Sequence, residues 1–240
     1  MDLMRKFLMV GAAALTLLCA TPTFAGFATS VTGAAGGSAA LVSPPSSALG
    51  NVSAAYQVWN ESSGTLSSSV TLENNGAVGS YAGAPPSSVG TPTTLAAGTA
   101  YGTTFIQLNP GLAGPVHSGE AIIMFSSKII GVALSGFTNG VPGSLDKTDV
   151  YGAPGTTYPT NYNNPNNNRG IIGKTNDSFV ITDGGLELEV ALTANNFGFK
   201  ELRVFTSGSA TGVPEPASIA IWSLAGTFFA GRGWWRRRQR

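Results

Sequence analysis

The sequence predicts an all-β fold, an antiparallel β-sandwich with a jelly roll or a barrel as variants, set between two terminal segments of different character. Three observations predict it. Charged residues make up only 10% of the 240 and Gly reaches 32, against about a quarter charged in ordinary soluble domains, which favours turns and short strands over helical bundles. Apolar and polar residues alternate at Val52, Ala54, Tyr56 and Val58, and again at Leu186, Leu188, Val190 and Leu192, the period of half-buried strands. Short strand-like runs recur between Gly, Pro and Asn clusters, with no 3.6-residue apolar period before residue 217, a pattern of sandwiches and barrels.

In chain order, residues 26–50 are rich in Ala, Gly, Ser and Pro and predict a leading strand or a linker. Strands are expected over 52–58, 66–72, 103–108, 120–125, 128–134, 178–182, 186–192 and 200–206. Ser126-Ser127 and Asp183-Gly184-Gly185 are expected as hairpin turns between neighbours. The region 139–170, with NYNNPNNNR over 161–169, is too polar for a core and reads as a long surface loop.

Residues 26–216 hold 6 basic and 11 acidic residues, formally −5. An acidic body excludes nucleic acid as a partner, since that binding draws its affinity from Lys and Arg on phosphates. The single cysteine, Cys19, lies in the N-terminal segment, so residues 26–216 carry no disulfide, thiol nucleophile or thiolate metal site. Stability has to come from packing.

Residues 1–25 have the three parts of a secretory signal peptide: Arg5 and Lys6, an apolar run over 7–20, and Thr23-Phe24-Ala25 before a cut between Ala25 and Gly26 by signal peptidase. The apolar run is short for a membrane-spanning anchor. A lipoprotein reading of Cys19 is disfavoured by Leu18, which is larger than lipoprotein processing accepts.

The C-terminal end reads Val213-Pro214-Glu215-Pro216, an apolar stretch over 217–231, then Arg232, Trp234, Trp235, Arg236, Arg237, Arg238 and Arg240. The prolines end the preceding strand and leave an extended tether. Residues 217–235 as a helix would measure about 28 Å, close to a bilayer core of about 30 Å. The arginines would stay cytoplasmic, leaving 26–216 outside. Ser218, Ser223, Gly226 and Thr227 make this a weak span, suited to a transient stop-transfer element.

Together, Val213-Pro214-Glu215-Pro216, the short apolar helix and the basic tail resemble the PEP-CTERM sorting signal of exported bacterial proteins. The resemblance implies processing by exosortase, a membrane transpeptidase, and delivery to the cell surface or an exopolysaccharide matrix. Pro214, Glu215 and Pro216 would form the recognition motif, and Arg236, Arg237 and Arg238 the basic tail. The paired tryptophans and the few leucines depart from the usual pattern, which leaves the cut site open. The plain alternative is an ordinary C-terminal anchor behind a Pro-rich linker. Within residues 104–206, GEAIIMFSSKIIGV (119–132), LDKTDVYGAPGTTYP (145–159), Arg169-Gly170 and ELRVFT (201–206) are also similar to bodies of other PEP-CTERM exoproteins. That likeness implies fold and location only.

The chemistry-bearing residues are few, and the expectation is a non-enzyme with no cofactor. His117 is the only histidine, which excludes zinc held by several imidazoles and leaves a conventional triad only this residue. It reads as a surface-turn histidine. Glu187 and Glu189 stand about 6.7 Å apart on one strand face, a formal carboxylate pair for glycoside hydrolysis that a solvated strand face explains equally. Asp146 and Asp149, with Asn139 and Asn163 to Asn168 nearby, offer oxygens of the kind Ca²⁺ prefers, but the spacing matches no EF-hand, and Asx turns are the alternative. The body is expected to be a structural or interaction component. A carbohydrate-binding module for exopolysaccharide is the alternative, with Tyr158 and Tyr162 as candidate glycan contacts and Tyr81, Tyr101 and Tyr151 also near loops.

Overall fold

The computed structural model describes residues 26–82, 90–110, 117–136, 143–159, 169–171, 176–194 and 200–208. The expected signal peptide (1–25), the expected sorting motif, membrane helix and basic tail (213–240), and Tyr162 lie outside the described residues. Among the described residues, no helix is long and apolar enough to cross a membrane.

The chain is all-β, with twelve strands and one short helix among the described residues. One five-stranded sheet has the order β1 (Ala28–Ala34), β8 (His117–Phe125), β11 (Glu187–Ala194), β10 (Ser178–Thr182), β5 (Gly79–Ala82). The second runs β2 (Ala39–Leu41), β3 (Ser53–Thr65), β7 (Ala100–Asn109), β12 (Lys200–Ser207), β9 (Ile129–Ala133). A small ribbon pairs β4 (Val70–Leu72) with β6 (Thr93–Leu95). All pairings are antiparallel except β2 with β3, where Ala39 stands opposite Tyr56 in parallel, so the second sheet is mixed and the expectation of a purely antiparallel sandwich is corrected.

The sheets face each other across one apolar cluster. The first sheet supplies Ile123, Phe179, Ile181, Leu188, Val190 and Leu192, and the second Val58, Ile106, Leu108, Val132, Leu202 and Val204. In β11 the alternation is complete: Leu188, Val190, Leu192 and Ala194 are buried, and Glu187, Glu189, Ala191 and Thr193 face outward, half-buried. The other face of the second sheet is covered too. Trp59, Phe105, Ala133 and Phe205 pack there against Leu145, Tyr151, Ala153 and Tyr158. Burial on both faces is why β12 is buried at every position but the last, where a strand with one solvated face would alternate.

Two local expectations change. Asp183-Gly184-Gly185 does turn β10 into β11, pairing Thr182 with Glu187. Its three residues all take left-handed backbone, φ 46°, 63° and 95°, which Asp and Gly tolerate and bulkier residues resist. Ser126-Ser127 is not a hairpin turn. It is a corner that carries the chain from β8 in the first sheet to β9 in the second, with the Ser126 hydroxyl accepting from the Gly26 N–H at 2.9 Å. The region 139–170 is also not simply a surface loop. Residues 143–159 form a covering segment with helix α1 (Ser144–Thr148) and a 3-10 turn (Asp149–Tyr151), and Leu145, Tyr151, Ala153 and Tyr158 are buried beneath it.

Candidate functional site

The most concentrated chemistry in the described residues is a buried ion-pair network between the second sheet and its covering segment. Odd-numbered positions of the central strands point to this side: Trp59 and Glu61 from β3, Phe105 and Gln107 from β7, and Glu201, Arg203 and Phe205 from β12. Glu61, Arg203 and Glu201 have essentially no side-chain exposure. A charge buried this way requires partners.

The Arg203 Nε and Nη2 donate to the two Glu61 oxygens at 2.6 and 2.9 Å, a bidentate pair. Its Nη1 donates to the Leu145 carbonyl (3.2 Å), Thr148 Oγ1 (2.8 Å) and Asp149 Oδ1 (3.1 Å), all on the cover. Arg169 grips Asp149 bidentately at 2.7 Å for each bond, reaches Asp146 Oδ1 at 3.2 Å, and donates from Nε to Glu201 Oε2 at 2.6 Å. Asp149 therefore bridges both guanidiniums, and Asp146 Oδ2 also accepts the Gly143 N–H at the start of α1. Gln107 completes the set by donating to Glu201 Oε1 and the Ala48 carbonyl, each at 2.9 Å.

Aromatic faces line the guanidiniums. The Arg203 Cζ lies 4.9 Å from both the Phe105 and Tyr158 ring centroids, and the Arg169 Cζ 5.8 and 5.7 Å from the same rings. Such contacts are attractive and strengthen when desolvated. The Tyr158 hydroxyl donates to Glu61 Oε1 and accepts the Ala153 N–H at 3.0 Å. Gly170 follows Arg169 with φ +92°, and a Cβ there would meet the Leu134 carbonyl oxygen at 2.1 Å. Only glycine lets the chain pass so close while Arg169 turns inward.

Burial and the neighbouring Glu61 carboxylate push the Tyr158 hydroxyl up to about 12. Burial alone would lower the guanidinium of Arg203, but Glu61 overrides it and holds it up, and Glu201 with Asp149 does the same for Arg169. Both arginines stay charged at every pH at which the protein is folded. Burial pushes the Glu201 carboxyl up, and Arg169 offsets this only in part. A carboxyl raised by folding favours the folded state below the ordinary glutamate range, and this contribution is lost as pH rises through the folded value. Glu201→Gln removes that dependence. The variant is therefore expected to gain stability relative to wild type as pH rises above the ordinary glutamate range, read from urea midpoints at each pH. A difference that stays constant or moves the other way contradicts the burial account.

This geometry relocates several candidates. Asp146 and Asp149 are engaged within the network: their four carboxylate oxygens accept from Arg169, Arg203 and the Gly143 N–H, while Asn139 and Asn163 to Asn168, the other candidate calcium ligands, lie outside the described residues. Among the described residues, no group of three or more His, Cys, Asp or Glu is placed to hold a metal. Tyr158 is 7% exposed and packed under guanidiniums, so it offers no ring to a sugar, which corrects its reading as a glycan contact. Tyr101 and Tyr151 are buried edge to face, and Tyr81 stacks on Phe179 at 4.9 Å. Glu187 and Glu189 share the outer face of the first sheet, where partial burial and then the neighbouring Glu120 carboxylate push Glu189 up. His117 begins β8 with its backbone opposite Ala194, and so belongs to a strand rather than a turn.

The network residues Glu61, Glu201 and Arg203 escape a reading by sequence because a charged residue in a strand looks like a solvated one, and Arg169 because it follows a run of polar residues. The usable signal is the apposition of LDKTD, Arg169-Gly170 and ELRVFT, complementary charges on separate segments of a chain poor in charge. Comparison with known proteins finds no matching family model, no similar curated protein and no matching solved structure.

Proposed function

We propose that the chain is an exported bacterial surface or extracellular-matrix protein, processed by signal peptidase and then exosortase, whose body has a structural or interaction role and no catalytic one. The observation that carries this reading is the C-terminal order of Val213-Pro214-Glu215-Pro216, apolar segment and arginine cluster behind an N-terminal secretory signal. The apolar segment over 217–235 would hold the chain in the inner membrane while exosortase acts, with residues 26–212 outside. The body, without a cysteine after Cys19, fastens its cover by buried ion pairs.

Mass spectrometry of exported protein is expected to find an N-terminus at or near Gly26 and no peptide from beyond about residue 216. Full-length protein in the inner membrane of wild-type cells as the only form would overturn the processing. Exopolysaccharide is the expected neighbour at the surface, and with Tyr158 buried the carbohydrate-binding alternative retains Tyr162 alone from its two contacts.

A further inference from the structure

The geometry points to an intramolecular amide crosslink between Lys200 and Asp177, formed by the protein itself and joining the two sheets across the sandwich core. Lys200 opens β12 and keeps step with Leu202 and Val204, which face the opposite sheet. Asp177 precedes β10 and keeps step with Phe179 and Ile181, which face back. The two side chains meet between the sheets, Nζ to Oδ2 at 2.6 Å, with side-chain exposures of 9% and 1%. Withdrawn from water, the pair gives up the hydration of both charges, and unlike the guanidiniums of the network an amine can become a nucleophile by losing one proton.

The surroundings of the carboxylate assign different roles to its oxygens. Oδ1 accepts the backbone N–H of Thr193 at 2.8 Å, and Oδ2 faces the amine. A proton passing along the Nζ–Oδ2 hydrogen bond turns ammonium and carboxylate into amine and acid without moving a heavy atom. The Nζ lone pair then adds to Cγ, and the negative charge collects on Oδ1, where the Thr193 N–H stabilises it as an oxyanion-hole donor does. A second proton moves from nitrogen to the Oδ2 hydroxyl, the Cγ–Oδ2 bond breaks, and water leaves. The N–Cγ bond formed replaces the C–O bond lost, and ammonium plus carboxylate becomes amide plus one water, with no outside reagent. Fixed contact substitutes for activation, because held reactants gain a large effective concentration. In a chain whose body has no cysteine, this bond would do the work of a disulfide.

Protein purified in its native exported form and digested at Lys, Arg and Glu tests the bond. Peptides 175–187 and 190–201 are expected to be joined, at their summed mass less one water, with cleavage after Lys200 blocked. Lys200→Arg and Asp177→Ala are each expected to abolish the joined species. Recovery of the separate peptides at full mass, with normal cleavage after Lys200, overturns the crosslink. So does water loss confined to 175–187 alone, which is imide formation at Asp177 or at Asp183 before Gly184, or a joined species that persists in either variant.

Discussion

Arg203→Ala is expected to destabilise the body by about 3–5 kcal/mol, the effect of breaking a buried pair and leaving its partner charged and unpaired. Glu61 then keeps the Tyr158 hydroxyl but loses both guanidinium bonds, and the cover loses its tie at Leu145, Thr148 and Asp149. Since a domain is stable by only about 5–15 kcal/mol, the variant would unfold at a much lower urea concentration. Removing both charges together tells a different story: Glu61→Gln with Arg203→Met leaves no bare charge and is expected to recover most of the loss, as paired replacement of buried ions often does. Urea midpoints for Glu61→Gln, Arg203→Met and the double variant measure the coupling. Arg203→Ala within about 0.5 kcal/mol of wild type, the range of an ordinary surface change, would contradict the buried network.

What the sequence revealed and what it hid have the same physical cause. Leu188, Val190 and Leu192 alternate with residues half-exposed to water, so the first sheet was legible, and β10 spans the very residues expected. Strands β5 and β6 were missed because Gly79-Ser80-Tyr81-Ala82 and Thr93-Thr94-Leu95 are too short for a period to register. Leu66 to Ser69 precede β4 rather than join it. The covering segment was misread because Asp146, Asp149 and Arg169 are polar enough to suggest solvent, whereas each is neutralised by a partner at least twenty residues away in the chain. Local patterning reports burial against an apolar surface. It does not report burial against an opposite charge supplied from elsewhere in the chain.

The second large effect lies at the tail. Glu215→Ala or Pro214→Ala is expected to strand the protein, uncleaved, in the inner membrane. A plain anchor depends on apolar length and flanking charge, neither of which these changes touch, whereas an enzyme reading an extended Pro-Glu-Pro backbone loses fixed shape or charge. Replacing Arg236, Arg237 and Arg238 with alanine acts in the opposite sense. By the positive-inside rule those arginines would keep the end of the chain inside, and without them the segment is expected to slip through and be released unprocessed.

Cell fractionation with an antibody against the body tests the sorting claim most directly. Full-length Glu215→Ala protein is expected in the inner membrane, against processed wild-type protein outside the cell. Release of Glu215→Ala and Pro214→Ala into the medium at the wild-type level and size would mean that Val213-Pro214-Glu215-Pro216 is only a linker, and would contradict the proposal.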